Sequence, residues 1–439
     1  MQDVKARVGD FLKKYGMDAG SVDLKRNSEI FLEEMKAGLV SAKSSLMMIP
    51  TYIRMEKELP VNEKVIAIDA GGTNFRVACI HFNDEKKPVV EDFQNYPMPG
   101  TSGEVSKAVF FDTIAGYLEP VLDKSGKISF CFSYPAEITP EKDGRLTKFS
   151  KEVKAREVEG QLIGANLLEA VRKRGHTAPK SIILLNDTVA TLLAGKASAP
   201  DRVFDTYMGF ILGTGTNICY IEKNENIVKV PEISRTGGSM LINVESGNYS
   251  KAPRGEVDLE MDRTMQNPGS YCFEKAISGA YQGSLVLAAI RKAAGEGLFS
   301  KEFAAAFSSV DALSSREIDD FLFYPHGGNV LAGCCPASER GDADRLTLYY
   351  LIDGVIERAA KFVTFSLTAS ILKTGKGTNP CAPVCITADG SAFYKSKLFR
   401  TKLDYYIRTF TNEEMGVYCE FVKVDNGTLM GTAIAGLLN

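Results

Sequence analysis

Apolar positions recur along the chain in two similar cycles. Residues 1–61 carry Phe31, Leu32, Met35, Leu39 and Val40 near helical spacing, which predicts a helical region ending at Pro60. Strand patterns follow at 64–70, 74–82 and 89–95, then a helix pattern near 104–123 and the β-rich run KISFCFSYP closing on Pro135. A helix is expected from about 159 to 174, a buried strand at 181–185 (SIILL) and another helix after Asn186. A second cycle starts at Tyr207. There YMGFILGTGTNICYIEK reads as strand, glycine-threonine turn and strand, echoing VIAIDAGGTNFRVACI at 65–80 without any fixed repeat period. Long helical patterns over about 271–294 and 344–373 precede a loop at 372–383 (LKTGKGTNPCAP). A strand in APVCITADGS, a helix near 396–411, a strand near 416–424 and a helix after Gly427 complete the pattern. This alternation predicts α/β architecture. At 439 residues two or three domains are expected, and the restart of the strand pattern places a join near 186–206.

Composition narrows the class. Hydrophobic residues make up 44 % and charged residues 24 % of the chain, as in ordinary globular proteins, and no apolar run of about 18 residues could span a bilayer. The segment MQDVKARVGDFLKKYG mixes acids with its bases and has no apolar core, which argues against a secretory or transit peptide and for a cytoplasmic location. Lys+Arg 52 against Asp+Glu 55 leaves a net charge of −3, so no footprint for nucleic acid or anionic lipid stands out. An anionic ligand must therefore be held by local geometry. The nine cysteines are an odd number at scattered positions, which suits reduced, packed thiols. Neither Cys381 with Cys385 nor Cys334 with Cys335 has the His pair or CxxC partner that a metal site needs.

The two glycine-threonine turns carry the first candidate chemistry. Gly71 and Gly72 permit positive φ and close approach of the backbone to a ligand. Consecutive N–H groups in such a turn form an anion-binding concavity, to which the Thr73 hydroxyl and neighbouring Asn74 add polar groups. Arg76 stands close behind, and Asp69 at the end of the first strand suits Mg²⁺ held through water. Taken alone, this hairpin fits a plain turn equally well. The second turn, Gly213-Thr214-Gly215-Thr216-Asn217, shifts the balance, because two such hairpins across a cleft could grip an oligophosphate from both sides. Competing motifs fail: Gly375-Lys376-Gly377-Thr378 lacks the Walker glycine, whose place is taken by Ser370, and no GxGxxG with a downstream acid occurs.

IDAGGTNFRV resembles the first phosphate motif of the hexokinases, and LGTGTNICY resembles their second. The likeness runs in chain order through FSYP, TK, LNDTVA, INVESG, NPGSYCFEKAISGAYQG and ITADGS, spanning roughly residues 65–391. The resemblance implies two ribonuclease-H-like (actin-like ATPase) domains closing over a cleft that holds a hexose and ATP. Residues 62–186, joined by a helix at 428–439, form the small domain under this reading; residues 1–61 and 187–427 form the large one. It also implies that Asp187 is the general base for the sugar 6-hydroxyl, with Asn186 a sugar ligand; Asn-Asp would in addition cap the following helix. Ser133, Thr147 and Lys148 match the small-domain sugar contacts, and Lys148 could also steady the transferring phosphoryl group. Asn217, Glu245 and Glu274 match the large-domain sugar contacts. For ATP, Gly71, Gly72, Thr73, Asn74 and Arg76 match the first phosphate loop and Gly213, Thr214 and Gly215 the second. Asp389, Gly390 and Ser391 match the adenosine motif.

Departures from the family pattern cluster near the sugar. Leu146 and Ser246 replace tryptophans, Ser284 stands where a glutamate is often found, and FSKEVKAREV is about three residues longer than the pattern. They bear on hexose preference more than on phosphotransfer. The implied activity is ATP- and Mg²⁺-dependent phosphorylation of glucose, with mannose and fructose as further acceptors. The rivals are a non-catalytic sugar sensor of the same fold, a kinase for another sugar, and an actin- or chaperone-like ATPase, which shares the turns but not the sugar residues.

Overall fold

The structure, a computed structural model, describes residues 2–149, 153–177, 181–198 and 201–439. In chain order its strands are β1 (Ile49–Pro50), β2 (Val65–Gly71), β3 (Asn74–Phe82), β4 (Pro88–Pro97), β5 (Lys127–Phe132), β6 (Ala136–Ile138) and β7 (Gly144–Leu146). They continue as β8 (Ser181–Leu185), β9 (Thr206–Leu212), β10 (Thr216–Lys223), β11 (Ser239–Asn243), β12 (Val384–Asp389) and β13 (Cys419–Val422). One sheet is ordered β4-β3-β2-β5-β8 and the other β1-β11-β10-β9-β12-β13, while β6 and β7 form a separate hairpin. Apart from the short edge strand β1, the two orders are the same. In each, three antiparallel strands lead into two parallel ones: β5 joins β2 and β8 joins β5, just as β12 joins β9 and β13 joins β12. The sequence echo at Tyr207 is thus the start of a second sheet of identical plan.

β2 is apolar on both faces because both faces are covered. Ile66, Ile68 and Ala70 pack with Phe110, Ile114, Leu167 and Val171 from the helices Lys107–Leu118 and Ile163–Lys173. Val65 and Ala67 pack on the opposite face with Val189, Leu193 and Ile434. Those last residues belong to the helices Asp187–Ser198 and Gly427–Leu438, which share one core with Cys219 of β10 and Leu241 of β11. The pair of helices therefore forms a layer between the two sheets. Their contact is backbone to backbone, since a Cβ on Gly431 would lie 1.7 Å from the Ala190 carbonyl oxygen. A third core packs the second sheet against Leu24–Val40 and the 36-residue helix Glu339–Thr374, where Arg358 is buried in a bidentate pair with Asp258 at 2.6 Å.

The helical reading of residues 1–61 holds only in part. Helices cover Gln2–Lys14 and Leu24–Val40, after which the chain turns back and Ile49–Pro50 pairs with β11. The return passes so close to the helix that a Cβ on Gly38 would meet the Leu46 carbonyl oxygen at 2.4 Å. The expected helix at 271–294 is two, Cys272–Ile277 and Gly279–Gly295, interrupted at Ser278. That near 396–411 is the helix Phe399–Tyr406 continuing into a π-helical stretch, Ile407–Glu414. Among the described residues no helix is long and apolar enough to cross a membrane.

Candidate active site

The first turn joins β2 to β3 with Gly71 opposite Asn74, so Gly72 and Thr73 form its tip. Gly72 takes φ 63°, a conformation that glycine adopts without strain. Thr73 and Asn74 are exposed. Ser133, the residue after β5, donates its N–H to the Ala70 carbonyl at 3.0 Å. Its hydroxyl lies under Gly71, where a Cβ would come within 3.2 Å of it. Thr147 donates its N–H to the Pro135 carbonyl at 2.9 Å, and Thr147 and Lys148 are both exposed on the loop after β7.

The second turn is a three-residue loop, with Gly213 N–H donating to the Gly215 carbonyl at 2.9 Å and Thr216 paired with Leu212. The carbonyls of Gly213 and Thr214 accept from Gly279 and Ala280 at 2.8 and 3.2 Å, docking the turn on the start of the helix Gly279–Gly295. The turn after β12 lies against it. Gly390 takes φ 113°, and a Cβ there would meet the Leu212 carbonyl oxygen at 2.3 Å. Asp389 and Ser391 on either side are exposed. Behind these glycines a narrow, largely apolar cavity of ≈ 40 Å³ is lined in part by Leu212, Gly279, Ile318, Ala392 and Phe399.

Two carboxylates on the second-sheet side are set by amides. Asn217 holds its own side chain by accepting from the N–H of Ile218 at 2.7 Å, and its Nδ2 donates to Asn243 Oδ1 at 2.6 Å. Asn243 in turn donates to Glu245 Oε1 at 2.8 Å. Glu245 sits in left-handed backbone, φ 56°, which turns it off the end of β11. Glu274 Oε2 accepts from the N–H of Thr216 at 3.0 Å. Gly215 leaves room for it, since a Cβ there would lie 2.5 Å from that oxygen. Ser246, which stands in place of a family tryptophan, is fully buried with its hydroxyl unpartnered among the described residues.

Asp187 opens the helix Asp187–Ser198 directly after β8. Asn186 caps that helix, its Oδ1 accepting from Thr188 N–H at 2.8 Å, so the capping reading holds. Burial pushes the Asp69 carboxyl up to about 6. Arg76, opposite it in register and 3.4 Å away, pulls the other way, while the charges of Asp187 and Asp389 raise it further. Glu245 is also pushed up to about 6, first by burial, with Asn243 opposing and the charges of Asp187 and Glu274 adding. Asp187 is therefore felt by a carboxylate of the first sheet and by another beside the second. Among the described residues no cluster of three or more His, Cys, Asp or Glu is placed to hold a metal by itself. The surplus of negative charge around Asp69 fits a cation that takes its remaining ligands from phosphate and water.

Residue-type reasoning missed three parts of this arrangement. Asn243 lies two positions before Glu245 in the INVESG motif and aims that carboxylate. Gly279 accepts a close approach, its Cβ position being 2.8 Å from the Gly213 carbonyl. Tyr134, within FSYP, donates its hydroxyl to the Gly72 carbonyl at 2.8 Å.

Two sheets of one plan, with glycine turns at corresponding hairpins and carboxylates between them, define a two-domain α/β protein of the actin-like ATPase fold. Comparison with known proteins places it within that class. Family models described as hexokinase match residues 9–197 and 207–438, and the chain belongs to the hexokinase family, whose members are ATP-dependent sugar kinases. It is 27 % identical to Arabidopsis thaliana hexokinase-4 over 91 % of this chain and 84 % of that protein. Horse hexokinase-2 is 28 % identical over 96 % of this chain, which spans only 47 % of that longer protein. The structure of a Schistosoma mansoni hexokinase complexed with glucose superposes with TM-score 0.77 over 99 % of both chains at 22 % identity, a likeness of fold.

Proposed function

We propose that the chain transfers the γ-phosphoryl group of ATP to the 6-hydroxyl of glucose, and of mannose and fructose, as a cytoplasmic enzyme of glycolysis. The observation that carries this reading is the place of Asp187, which opens the helix after β8 in the layer between the two sheets, within electrostatic reach of Asp69 on the nucleotide side and of Glu245 on the sugar side. A base there reaches a hydroxyl held between the two sheets. Asp187 accepts the proton of the 6-hydroxyl as the sugar oxygen attacks phosphorus directly, a step that needs positioning and a nearby acceptor more than covalent help. Asn186, Asn217, Glu245 and Glu274 bind the remaining hydroxyls, with Ser133, Thr147 and Lys148 closing from the other side. Lys148 is exposed where it stands, so its role in steadying the phosphoryl group requires the small domain to close over the sugar.

Gly71, Gly72, Thr73 and Asn74 grip the phosphates from one side and Gly213, Thr214 and Gly215 from the other, with Asp389, Gly390 and Ser391 at the adenosine. Arg76 faces the transferred group. Mg²⁺ would supply charge neutralisation for the phosphates, and Asp69 is the residue that would hold it, through water. The proposed domains are 62–186 with 428–439, and 1–61 with 187–427, so that Asp187 stands at their seam. Coupled detection of ADP over a panel of sugars tests the reading. ADP release is expected with glucose and absent with 6-deoxyglucose or without sugar; ATP hydrolysis indifferent to sugar would overturn it, as would sugar binding without turnover.

A further inference from the structure

Each phosphate turn is held from the sugar side. Glu274 takes the Thr216 N–H at the foot of the second turn. At the first turn the corresponding contact comes from Tyr134, the neighbour of Ser133, whose hydroxyl donates to the Gly72 carbonyl at 2.8 Å. The ring that carries this hydroxyl is fixed. It is 3 % exposed and packed at 4.9 Å from Phe132 and at 5.1 Å, edge to face, from Phe149. Burial pushes its phenol up to about 12, so it stays a neutral donor at any working pH.

Which way the peptide points gives this bond its consequence. A trans peptide is planar, and its C=O and N–H point in opposite directions. With the Gly72 carbonyl held back toward Tyr134, the Thr73 N–H on the same peptide points the other way. The next carbonyl, that of Thr73, is held by Met98 N–H at 2.9 Å, so both peptides of the tip are anchored through their oxygens. The tip residues Gly72 and Thr73 have no packed side chain to hold them, Gly72 being glycine and Thr73 being exposed. Without the Tyr134 bond, the Gly72–Thr73 peptide would be free to rock.

We infer that Tyr134 is a positioning residue for the nucleotide, acting from the sugar-binding loop to orient the Thr73 N–H of the first phosphate turn. The inference rests on the proposed ATP-binding role of that turn. Tyr134→Phe removes the hydroxyl and keeps the ring. A neutral hydrogen bond contributes roughly a factor of three to ten, so the dissociation constant of Mg-ADP, measured by titration calorimetry, is expected to rise by about that factor. In the kinetics, KM for ATP should rise likewise while KM for glucose stays within about twofold. Tyr406→Phe is the control. It deletes a tyrosine hydroxyl bond remote from both turns, to Glu357 Oε1 at 2.6 Å, and is expected to leave nucleotide affinity unchanged. An unchanged Mg-ADP affinity in Tyr134→Phe would overturn the inference. So would an equal loss in Tyr406→Phe, or a fall in thermal stability as the sole effect. The calorimetry needs no turnover, so a wild-type protein that binds Mg-ADP yet releases no ADP with any sugar would sink the proposed activity and leave this measurement intact.

Discussion

Asp69 and Glu245 are carboxyls held out of water, each pushed up to about 6. For Asp69 the ordinary value is 3.8, so between pH 4 and 6 the folded protein binds a proton that the unfolded chain has released, and stability falls as pH rises through that window. The ionised Asp69 thus costs folding free energy above pH 6, about 3 kcal/mol from the size of the shift. In metal-free buffer Asp69→Asn is expected to raise the denaturation midpoint at pH 7 and to leave it unchanged at pH 4, while Mg²⁺-dependent turnover collapses. Equal midpoints at pH 7 would remove the buried-charge account. Asp187 is tested by rate. Asp187→Ala should lower kcat by about 10²–10⁴, the usual contribution of a positioned base, and leave the glucose dissociation constant within a fewfold; an unchanged kcat would discard Asp187 as the base. The residue types were legible at this scale because acids and glycines sit in motifs. The aiming partners Asn243 and Tyr134 were not, since an amide or phenol shows its role only once its neighbour in space is known.

At the scale of elements, the hairpins were the most readable part of the chain. VIAIDAGGTNFRVACI and its echo became β2-β3 and β9-β10 because continuous apolar runs broken by glycine have few alternatives. Helices were read less well where a break hides inside an apolar pattern. Ser278 splits 271–294 with no proline to announce it, and residues 41–61, read as part of a helical region ending at Pro60, instead turn back so that Ile49–Pro50 pairs with β11. Gly215, inside the second hairpin, is tied to the Glu274 carboxylate by space. Gly215→Ala places a methyl 2.5 Å from Glu274 Oε2, and the movable side chain must yield. The expected result is a protein of near wild-type stability whose KM for glucose rises about tenfold, as the carboxylate leaves the Thr216 N–H. A stability loss with unchanged KM would mean that Glu274 does not contact the sugar.

For the whole molecule, the sequence pattern conveyed two α/β cycles, but not the shared layer between the sheets. That layer brings the helix Gly427–Leu438 onto the helix of Asp187, and nothing in either stretch alone names the other. Gly431 records the contact, and Gly431→Ala is expected to cost about 1–3 kcal/mol as overpacking against the Ala190 backbone. Chemical denaturation measures this directly, and a neutral substitution would show that the two helices can separate at little cost. The contact also sets an order of events during synthesis. The helix carrying Asp187 leaves the ribosome about 230 residues before its cover, so at translation rates of about 5–20 residues per second it waits on the order of 10–50 s with its apolar side uncovered. Newly made chains therefore pass through an interval in which the helix of Asp187 is open to chaperones and to aggregation, and a stalled or truncated product remains in that state.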